Sequence, residues 1–160
     1  MPEYLRRFRE GLTEPTRFEG GETSRGALGR RVLAGIQRRD TADLAKLLVS
    51  RGEFAWLVFP EHLYARPPYE LDPAIFWMQL TAATASGLEG SLRHYGGKPM
   101  ALLAVTCERD TLQIRQGPIT AWSKCGLRYR SGDSVVTHRL FGTIVERDGR
   151  MKLMSLASEF

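Results

Sequence analysis

A carboxylate beside aromatic side chains is the first feature of this sequence that could do chemistry. Glu53 opens the run 53–60, which contains Phe54 and Trp56 and no other charge. Apolar surroundings disfavour the charged form of a carboxylic acid, so its pKa rises toward the range in which a general base works at neutral pH. The alternative is a surface glutamate that pairs with Arg51 or with another arginine. The sequence therefore offers Glu53 either as a catalytic base or as one half of an ion pair.

An imidazole in a strand-like stretch is the second candidate. His138 lies within residues 134–147, where Val136 and Ile144 share its side because side chains alternate along an extended chain. If that side lines a pocket, the imidazole could shuttle a proton. Val135 and Val145 make the opposite side equally apolar, so both orientations stay open. His138 is therefore a catalytic candidate beside Glu53.

Aromatic side chains could wall a binding site for an apolar ligand. The candidates for ligand contact are Trp56, Tyr64, Trp77, Trp122 and Tyr129. A tyrosine hydroxyl can also donate a hydrogen bond to a ligand oxygen, for which Tyr95 and Tyr129 are candidates. Aromatic residues at such spacings also fill ordinary hydrophobic cores, and that alternative stands beside the ligand interpretation.

The sequence lacks the motifs of several familiar chemistries. It has no Gly-x-Ser-x-Gly elbow, no phosphate-binding loop and no His-Glu-x-x-His pattern, which argues against the usual hydrolases and nucleotide enzymes. Cys107 and Cys125 are the only cysteines, and no spacing indicates a metal site, so neither a metal nor another cofactor is predicted. Both cysteines lie on strand-like segments that could be neighbours, which predicts at most one disulfide, and only if the chain is exported.

Length and composition fit one globular domain. The chain has 160 residues, 42% hydrophobic and 26% charged, and we expect an N-terminal arm at 1–22 before a single domain at 23–160. Residues 1–51 carry eleven Arg and Lys against seven Asp and Glu, most of the net charge of +5. We interpret this excess as a solvated arginine-rich surface rather than as attraction to anionic lipid, and no nucleic-acid motif accompanies it. Neither nucleic-acid binding nor a transmembrane segment is expected. The protein is expected to be cytoplasmic if Met1 is the native start, and exported if a signal was removed.

The sequence predicts helices in the first part of the chain. Apolar residues at spacings of three and four predict a helix from Ser24, and Asp40 predicts the start of a second one. Asp72-Pro73 predicts the start of a long helix that ends at Gly96-Gly97. Periodicity does not decide whether the run 53–60 is a helical turn or a short strand.

The sequence predicts strands after these helices. The strand-like segments are residues 100–107, 112–115 (weakly), 119–129, 134–147 and 151–158. Asp148-Gly149 between the last two is a strong hairpin signal, because both turn residues tolerate positive φ. The segment 134–147 is therefore predicted to pair antiparallel with 151–158 and with 119–129. Helices followed by an antiparallel meander predict an α+β fold.

Three motifs connect this order of elements to a known superfamily. They are Arg39-Asp40-Thr41, Glu53-Phe54-Ala55-Trp56 and the closing segment 140–150. With two short helices, a long helix and a long antiparallel sheet, they resemble the nuclear transport factor two-like, or SnoaL-like, superfamily. The resemblance covers about residues 24–160.

The resemblance implies a cone-shaped α+β fold, with N-terminal helices packed on a strongly curved antiparallel sheet of four to six strands. It also implies a pocket between the long helix and the sheet, which we expect to bind a small, largely apolar ligand. In the enzymatic interpretation, Glu53 is the base and His138 or a tyrosine its partner in isomerase- or dehydratase-like proton transfer. At least one of Glu53 and His138 is expected to contact a cavity walled partly by Trp56 and Trp77. The alternative is a non-catalytic module that forms a homodimer or binds a partner through its sheet.

Overall fold

Helices precede strands along the chain. The computed structural model describes residues 1–115 and 117–158, so Glu159 and Phe160, the end of the predicted domain, lie outside the described residues. The helices are α1 (Glu3–Arg9), α2 (Arg25–Arg38), α3 (Thr41–Lys46), α4 (Arg51–Glu53) and α5 (Pro73–Tyr95). The strands are β1 (Ala101–Arg109), β2 (Thr120–Ser131), β3 (Ser134–His138), β4 (Ile144–Arg147) and β5 (Arg150–Leu153). The predicted α+β class is confirmed, with helices on a curved antiparallel sheet.

Side-chain caps fix the helix starts that the sequence predicts. The Asp40 carboxylate accepts a hydrogen bond from the backbone N–H of Asp43 at 3.0 Å, and Asp72 accepts one from Ala74 at 2.9 Å. Each such cap is worth about 1 kcal/mol. Helix α5 ends one residue before Gly96, and Gly97 has a φ of 80°. Both predicted ends of the long helix are confirmed.

The run 53–60, left open between helix and strand, is helical. The chain continues from α4 through a π-helical turn at Phe54–Val58 and 3-10 turns at Phe59–Glu61 and Leu63–Ala65. A capping box begins it: the Glu53 N–H donates to Ser50 Oγ at 3.1 Å, and the Ser50 N–H donates to Glu53 Oε1 at 2.8 Å. This reciprocal cap satisfies two backbone donors and decides the local structure in favour of a helix.

The described strands form one antiparallel sheet in the order β1-β2-β4-β5, and β3 pairs with β2 alongside. The pairing of 134–147 with its two predicted neighbours is confirmed, but its prediction as one continuous strand is wrong. Lys124 of β2 has a φ of 52°, and the β1–β2 register shifts beside it. This bulge bends β2, so β3 pairs with one end of it and β4 with the other, and residues 140–143 connect the two outside any strand.

Residues 112–115 form no strand, contrary to the weak prediction. The Asp110 carboxylate accepts hydrogen bonds from the backbone N–H groups of Leu112 and Gln113, at 3.1 and 3.0 Å. A short acidic side chain that captures the next backbone donors turns the chain away from an extended conformation.

A disulfide joins the two long strands. Cys107 of β1 and Cys125 of β2 are bonded, with their Cα atoms 4.1 Å apart. The sequence left this bond open as at most one disulfide, and the bond is present. The compartment in which the protein works stays a prediction.

Two hydrophobic clusters make up the described core. The first packs α2 and α3 on the inner face of the sheet, where Gly29 lets α2 approach closely: a Cβ there would lie 2.8 Å from Val105 Cγ2. The second is rich in aromatic rings and joins the N-terminal arm to the segment 49–59. Phe8 and Phe18 of the arm are buried in it, so the predicted arm is docked on the domain.

The long helix lies over the segment that follows β5. The backbone of Leu156 passes against Gly87, where a side chain would collide with it. The Leu156 N–H donates to Thr84 Oγ1 at 3.1 Å, and the hydroxyls of Ser91 and Ser158 are 3.1 Å apart. These contacts anchor the middle of α5 and leave its first half beside the second cluster.

Candidate ligand-binding cleft

A cleft of about 600 Å³ opens between the first half of α5 and the connection from α3 to α4. Its walls are predominantly apolar, and the volume is within the range of sites for small organic ligands. Apolar wall residues include Leu48, Val49, Trp77, Leu80 and Met154, and charged ones are Glu19, Arg31, Lys46 and Lys152.

Regular backbone contacts hold the apolar walls in place. Trp77 and Leu80 are three residues apart on α5, so they share one face of the helix. The opposite wall runs beside β5: the Val49 N–H donates to the Leu153 carbonyl at 2.9 Å, and the Leu153 N–H donates to the Leu47 carbonyl at 2.8 Å. The cleft therefore lies between two elements that are each fixed by hydrogen bonds.

The N-terminal arm forms a third wall. Glu22 exchanges two backbone hydrogen bonds with Met151 of β5, at 2.7 and 3.0 Å. Gly20 and Gly21 have φ values of 75° and 73°, a conformation that glycine adopts without strain. A Cβ on Gly21 would also lie 2.8 Å from Lys152 Cγ, so glycine is required for the arm to lie against β5.

A buried ion pair lies beneath the arm. Lys152 and Glu53 are only 4% and 2% exposed, and Lys152 Nζ donates to Glu53 Oε1 at 2.7 Å. The backbone N–H groups of Glu19 and Ser50 also donate to the Glu53 carboxylate, at 2.7 and 2.8 Å. Lys152 Nζ donates its second hydrogen bond to the Glu19 carbonyl at 2.7 Å. The pair ties together the arm, α4 and β5.

This network gives Glu53 a structural role. Its two oxygens accept three hydrogen bonds, from Lys152 and from two backbone N–H groups, so the carboxylate is already occupied by partners within the protein. The sequence offered an ion pair as an alternative, with Arg51 as partner; the partner is Lys152. Among the described residues that line the cleft, Lys152 is present and Glu53 is absent. The role of Glu53 as a general base stays a prediction.

The second catalytic candidate lies at the other end of α5. The Tyr129 hydroxyl and His138 Nδ1 are 3.0 Å apart, and the rings of Tyr95 and His138 lie 5.2 Å apart. His138 therefore faces the long helix, which answers the question of orientation left open by the sequence. Burial raises the pKa of Tyr129 to about 12, with a smaller contribution from Tyr95, so the hydroxyl keeps its proton at neutral pH.

The structure does not bring the two catalytic candidates together. The ring of Phe54, next to Glu53, lies 5.2 Å from that of Trp77, whereas His138 packs on Tyr95. Eighteen residues of α5 separate Trp77 from Tyr95, which corresponds to about 27 Å along the helix. Glu53 and His138 thus belong to separate clusters.

The aromatic residues predicted to contact a ligand also lie in different parts of the structure. Trp77 lines the cleft, whereas Trp56 lies outside its described lining, under the Arg9 guanidinium at 5.0 Å. Trp122 lies under the Arg25 guanidinium at 4.1 Å. Tyr64 packs on His62 with ring centres 5.0 Å apart, and Tyr129 belongs to the cluster with His138. Trp77 is therefore the predicted aromatic contact that this cleft contains.

A small recess adjoins the cleft. Leu80 and Met154 line both cavities, and the recess, of about 50 Å³, also has His62, Asp110, Gln113 and Thr143 in its wall. His62 Nδ1 accepts a hydrogen bond from the Tyr64 N–H at 3.1 Å, and Nε2 lies 3.2 Å from Gln113 Oε1. These partners fit a neutral imidazole with its proton on Nε2. Burial lowers the pKa of His62, against smaller opposing effects of Gln113 and Asp110.

Sequence reasoning missed Lys152 and His62. Lys152 is one of several charged residues around the last hairpin, and its partner Glu53 is 99 residues away, so no local pattern indicates the pair. His62 stands in a loop of irregular pattern, where spacing gives no sign of burial. Both became visible only when distant segments were brought together.

No family model, curated protein or solved structure matches this chain. The resemblance to the nuclear transport factor two-like superfamily therefore stays a prediction. Within residues 1–115 and 117–158, no group of three or more His, Cys, Asp and Glu side chains could hold a metal ion. No helix in the same part of the chain is long and apolar enough to cross a membrane.

Proposed function

We propose that this protein is a small-molecule-binding domain of the nuclear transport factor two-like kind, and that its main cleft takes a largely apolar ligand. The observation that carries the proposal is the cleft itself. It combines a volume of about 600 Å³ with apolar walls that include Trp77, Leu80 and Met154. Sites for small organic molecules typically join an apolar wall of this kind with a few polar groups.

Binding without proton transfer agrees best with the charges around the cleft. Glu19 is the acidic side chain in the described lining; it is 76% exposed and lies 3.5 Å from Arg17. The better shielded Glu53 is occupied by Lys152 and two backbone donors. Isomerase- or dehydratase-like chemistry would need a base that this cleft does not offer from either residue.

Self-association through the sheet has less support. Leu103 and Val135 are the large apolar residues exposed on it, at 46% and 40%. Val135 lies opposite Arg130 on the neighbouring strand, and Arg128 is exposed two residues away. Single apolar residues among arginines are normal on a monomer surface. The homodimer therefore stays a prediction.

A variant in which the cleft is blocked, compared with a control variant, tests the proposal. Thr81 lines the cleft and Ala82, its neighbour on α5, is exposed and lies outside the described lining. We expect compounds from a panel of apolar acids, amides and alcohols to raise the Tm of the wild-type protein, because a ligand that binds the folded state stabilises it.

Thr81→Trp should abolish this rise by filling the cleft, and Ala82→Trp, which introduces the same side chain outside the cleft, should retain it. The proposal is wrong if no compound raises the Tm of the wild type, or if both variants respond equally.

A further inference from the structure

We propose that the ligand of the cleft is an apolar monocarboxylate whose acid group is bound by Lys152 and Lys46. The inference rests on the proposed binding function and adds the chemical class of the ligand. It starts from the hydrogen bonds of a buried ammonium group.

Lys152 has one donor to spare. An ammonium carries three N–H donors, and Lys152 Nζ uses two of them, on Glu53 Oε1 and on the Glu19 carbonyl. Within residues 1–115 and 117–158 the third has no acceptor. Lys152 is 4% exposed and lines the cleft, so a ligand there can supply the missing acceptor. Buried donors of charged groups are costly to leave unpaired, which favours a ligand with an oxygen at this position.

The pairing of the charged wall residues favours an anion with a single negative charge. Arg31 is engaged by Glu22 at 3.2 Å and by Asp43 at 2.8 Å. Lys152 is balanced by Glu53. Glu19 is paired with Arg17 at 3.5 Å. Lys46 is exposed at the rim and makes no ion pair within the described residues, so it is a cation of the wall that no carboxylate engages there. A carboxylate matches that charge, whereas a doubly charged phosphate would place excess negative charge near Glu53.

The remaining wall fits the rest of such a molecule. Trp77 and Leu80 of α5 and Met154 after β5 provide an apolar surface on which a ring system or alkyl chain can pack. Met154 is flexible and separates the cleft from the recess, so it can adapt to ligands of different length. The cleft therefore offers a cationic end and an apolar end, as an amphipathic acid requires.

A matched pair of probes tests the inference. 2-Naphthylacetate and 2-naphthylacetamide have nearly the same shape and differ in charge. In calorimetric titrations of the intact protein, we expect the acid to bind about tenfold more tightly, because hydrogen bonds to charged groups are roughly twice as strong as neutral ones.

Lysine variants show where the preference arises. Lys46→Gln should weaken binding of the acid severalfold and leave the amide unchanged, whereas Lys98→Gln, at an exposed lysine outside the described lining, should change neither. Lys152→Gln leaves Glu53 without its cation and risks unfolding, so the double variant Lys152→Gln/Glu53→Gln keeps a neutral hydrogen-bonding pair. In it, the preference for the acid should fall to about twofold or less.

The outcomes separate the two proposals. Equal affinities of the wild type for acid and amide would overturn the carboxylate inference and leave the binding function standing. An acid preference that survives both the Lys46 variant and the double variant would overturn the assignment of these lysines. Absence of binding by every compound of the wider panel would overturn the binding function itself.

Discussion

The two polar clusters beside α5 differ in how completely their polar groups are hydrogen-bonded. Near the first turns of the helix, Glu53 and Lys152 form an ion pair and make four hydrogen bonds with each other and with the backbone. Near its last turn, Tyr129 and His138 meet through one hydrogen bond, and Tyr129 keeps its proton. A buried charge requires an almost complete set of partners, whereas a neutral polar pair does not.

The two members of the charged cluster have different roles at the cleft. Glu53, which the sequence offered either as a catalytic base or as one half of an ion pair, holds the arm, α4 and β5 together through its hydrogen bonds. The same pairing fixes Lys152 at the cleft with one donor unused. In the proposed function, the charged cluster contributes to ligand recognition through its cation rather than to proton transfer through its anion.

Removal of Lys152 should have the largest effect on stability. Lys152→Met leaves the Glu53 carboxylate buried without a cation, which typically costs about 3–5 kcal/mol. Urea unfolding should show this loss, and Lys152→Met/Glu53→Gln should recover a substantial part of it because the unpaired charge is gone. A loss below about 1 kcal/mol in the single variant would contradict a stabilising role for the pair.

Removal of the disulfide should have the second largest effect on stability. It should act near the cluster of Tyr129 and His138. The bond joins β1 and β2 across 18 residues of sequence, and closing a loop of that length stabilises a fold by about 3 kcal/mol. In Cys107→Ala/Cys125→Ala we expect hydrogen-exchange protection to fall most in β1 and β2 around Tyr129. Protection lost first around Val49 and Leu153 would show that the cleft, rather than the sheet, depends on the bond.

The neutral cluster should be less sensitive than the charged one. Tyr129→Phe removes the hydroxyl that meets His138 Nδ1, and one neutral hydrogen bond contributes about 1 kcal/mol. Tyr64→Phe is the control, because the Tyr64 hydroxyl makes no hydrogen bond within the described residues. If Tyr129→Phe lowers the unfolding free energy as much as Lys152→Met does, the contrast between the clusters is wrong.

Substitution of His62 should have the smallest effect, which should appear as a change in how stability depends on pH. Burial lowers its pKa in the folded state below the ordinary value of about 6.5, so the unfolded chain binds the proton first. Stability is therefore full above about pH 6.5 and falls as the pH drops below it. We expect His62→Gln, which keeps a neutral donor and acceptor, to flatten the decrease in Tm between about pH 7.5 and 5.5. An unchanged decrease would assign it to other groups.

Local signals predicted much of the fold. The caps at Asp40 and Asp72, the Asp148-Gly149 turn and the pairing of Cys107 with Cys125 each depend on short-range chemistry, and each is present. The break at 140–143 was missed because it follows from a bulge at Lys124, on a different strand. A register shift in one strand leaves no mark in the sequence of its neighbour.

The candidate site was harder to predict because it depends on long-range partners. The pattern around Glu53 identified an acidic residue beside aromatic rings, which is correct, but its cation comes from β5 and two of its donors from backbone groups. Trp77 was identified as a ligand contact, and it lines the cleft. Trp56 has a similar local sequence environment and lies outside the described lining, so only tertiary structure distinguishes the two.

Contacts between a bound ligand and the protein test the central claim most directly. With methyl-labelled methionine and leucine, nuclear Overhauser effects can be measured from 2-naphthylacetate to individual side chains. We predict contacts to the methyl groups of Met154 and Leu80 and to the indole of Trp77, because these side chains form the apolar wall of the cleft. Contacts to Tyr129 and His138 in their place would contradict the account and move the binding site to the other end of α5.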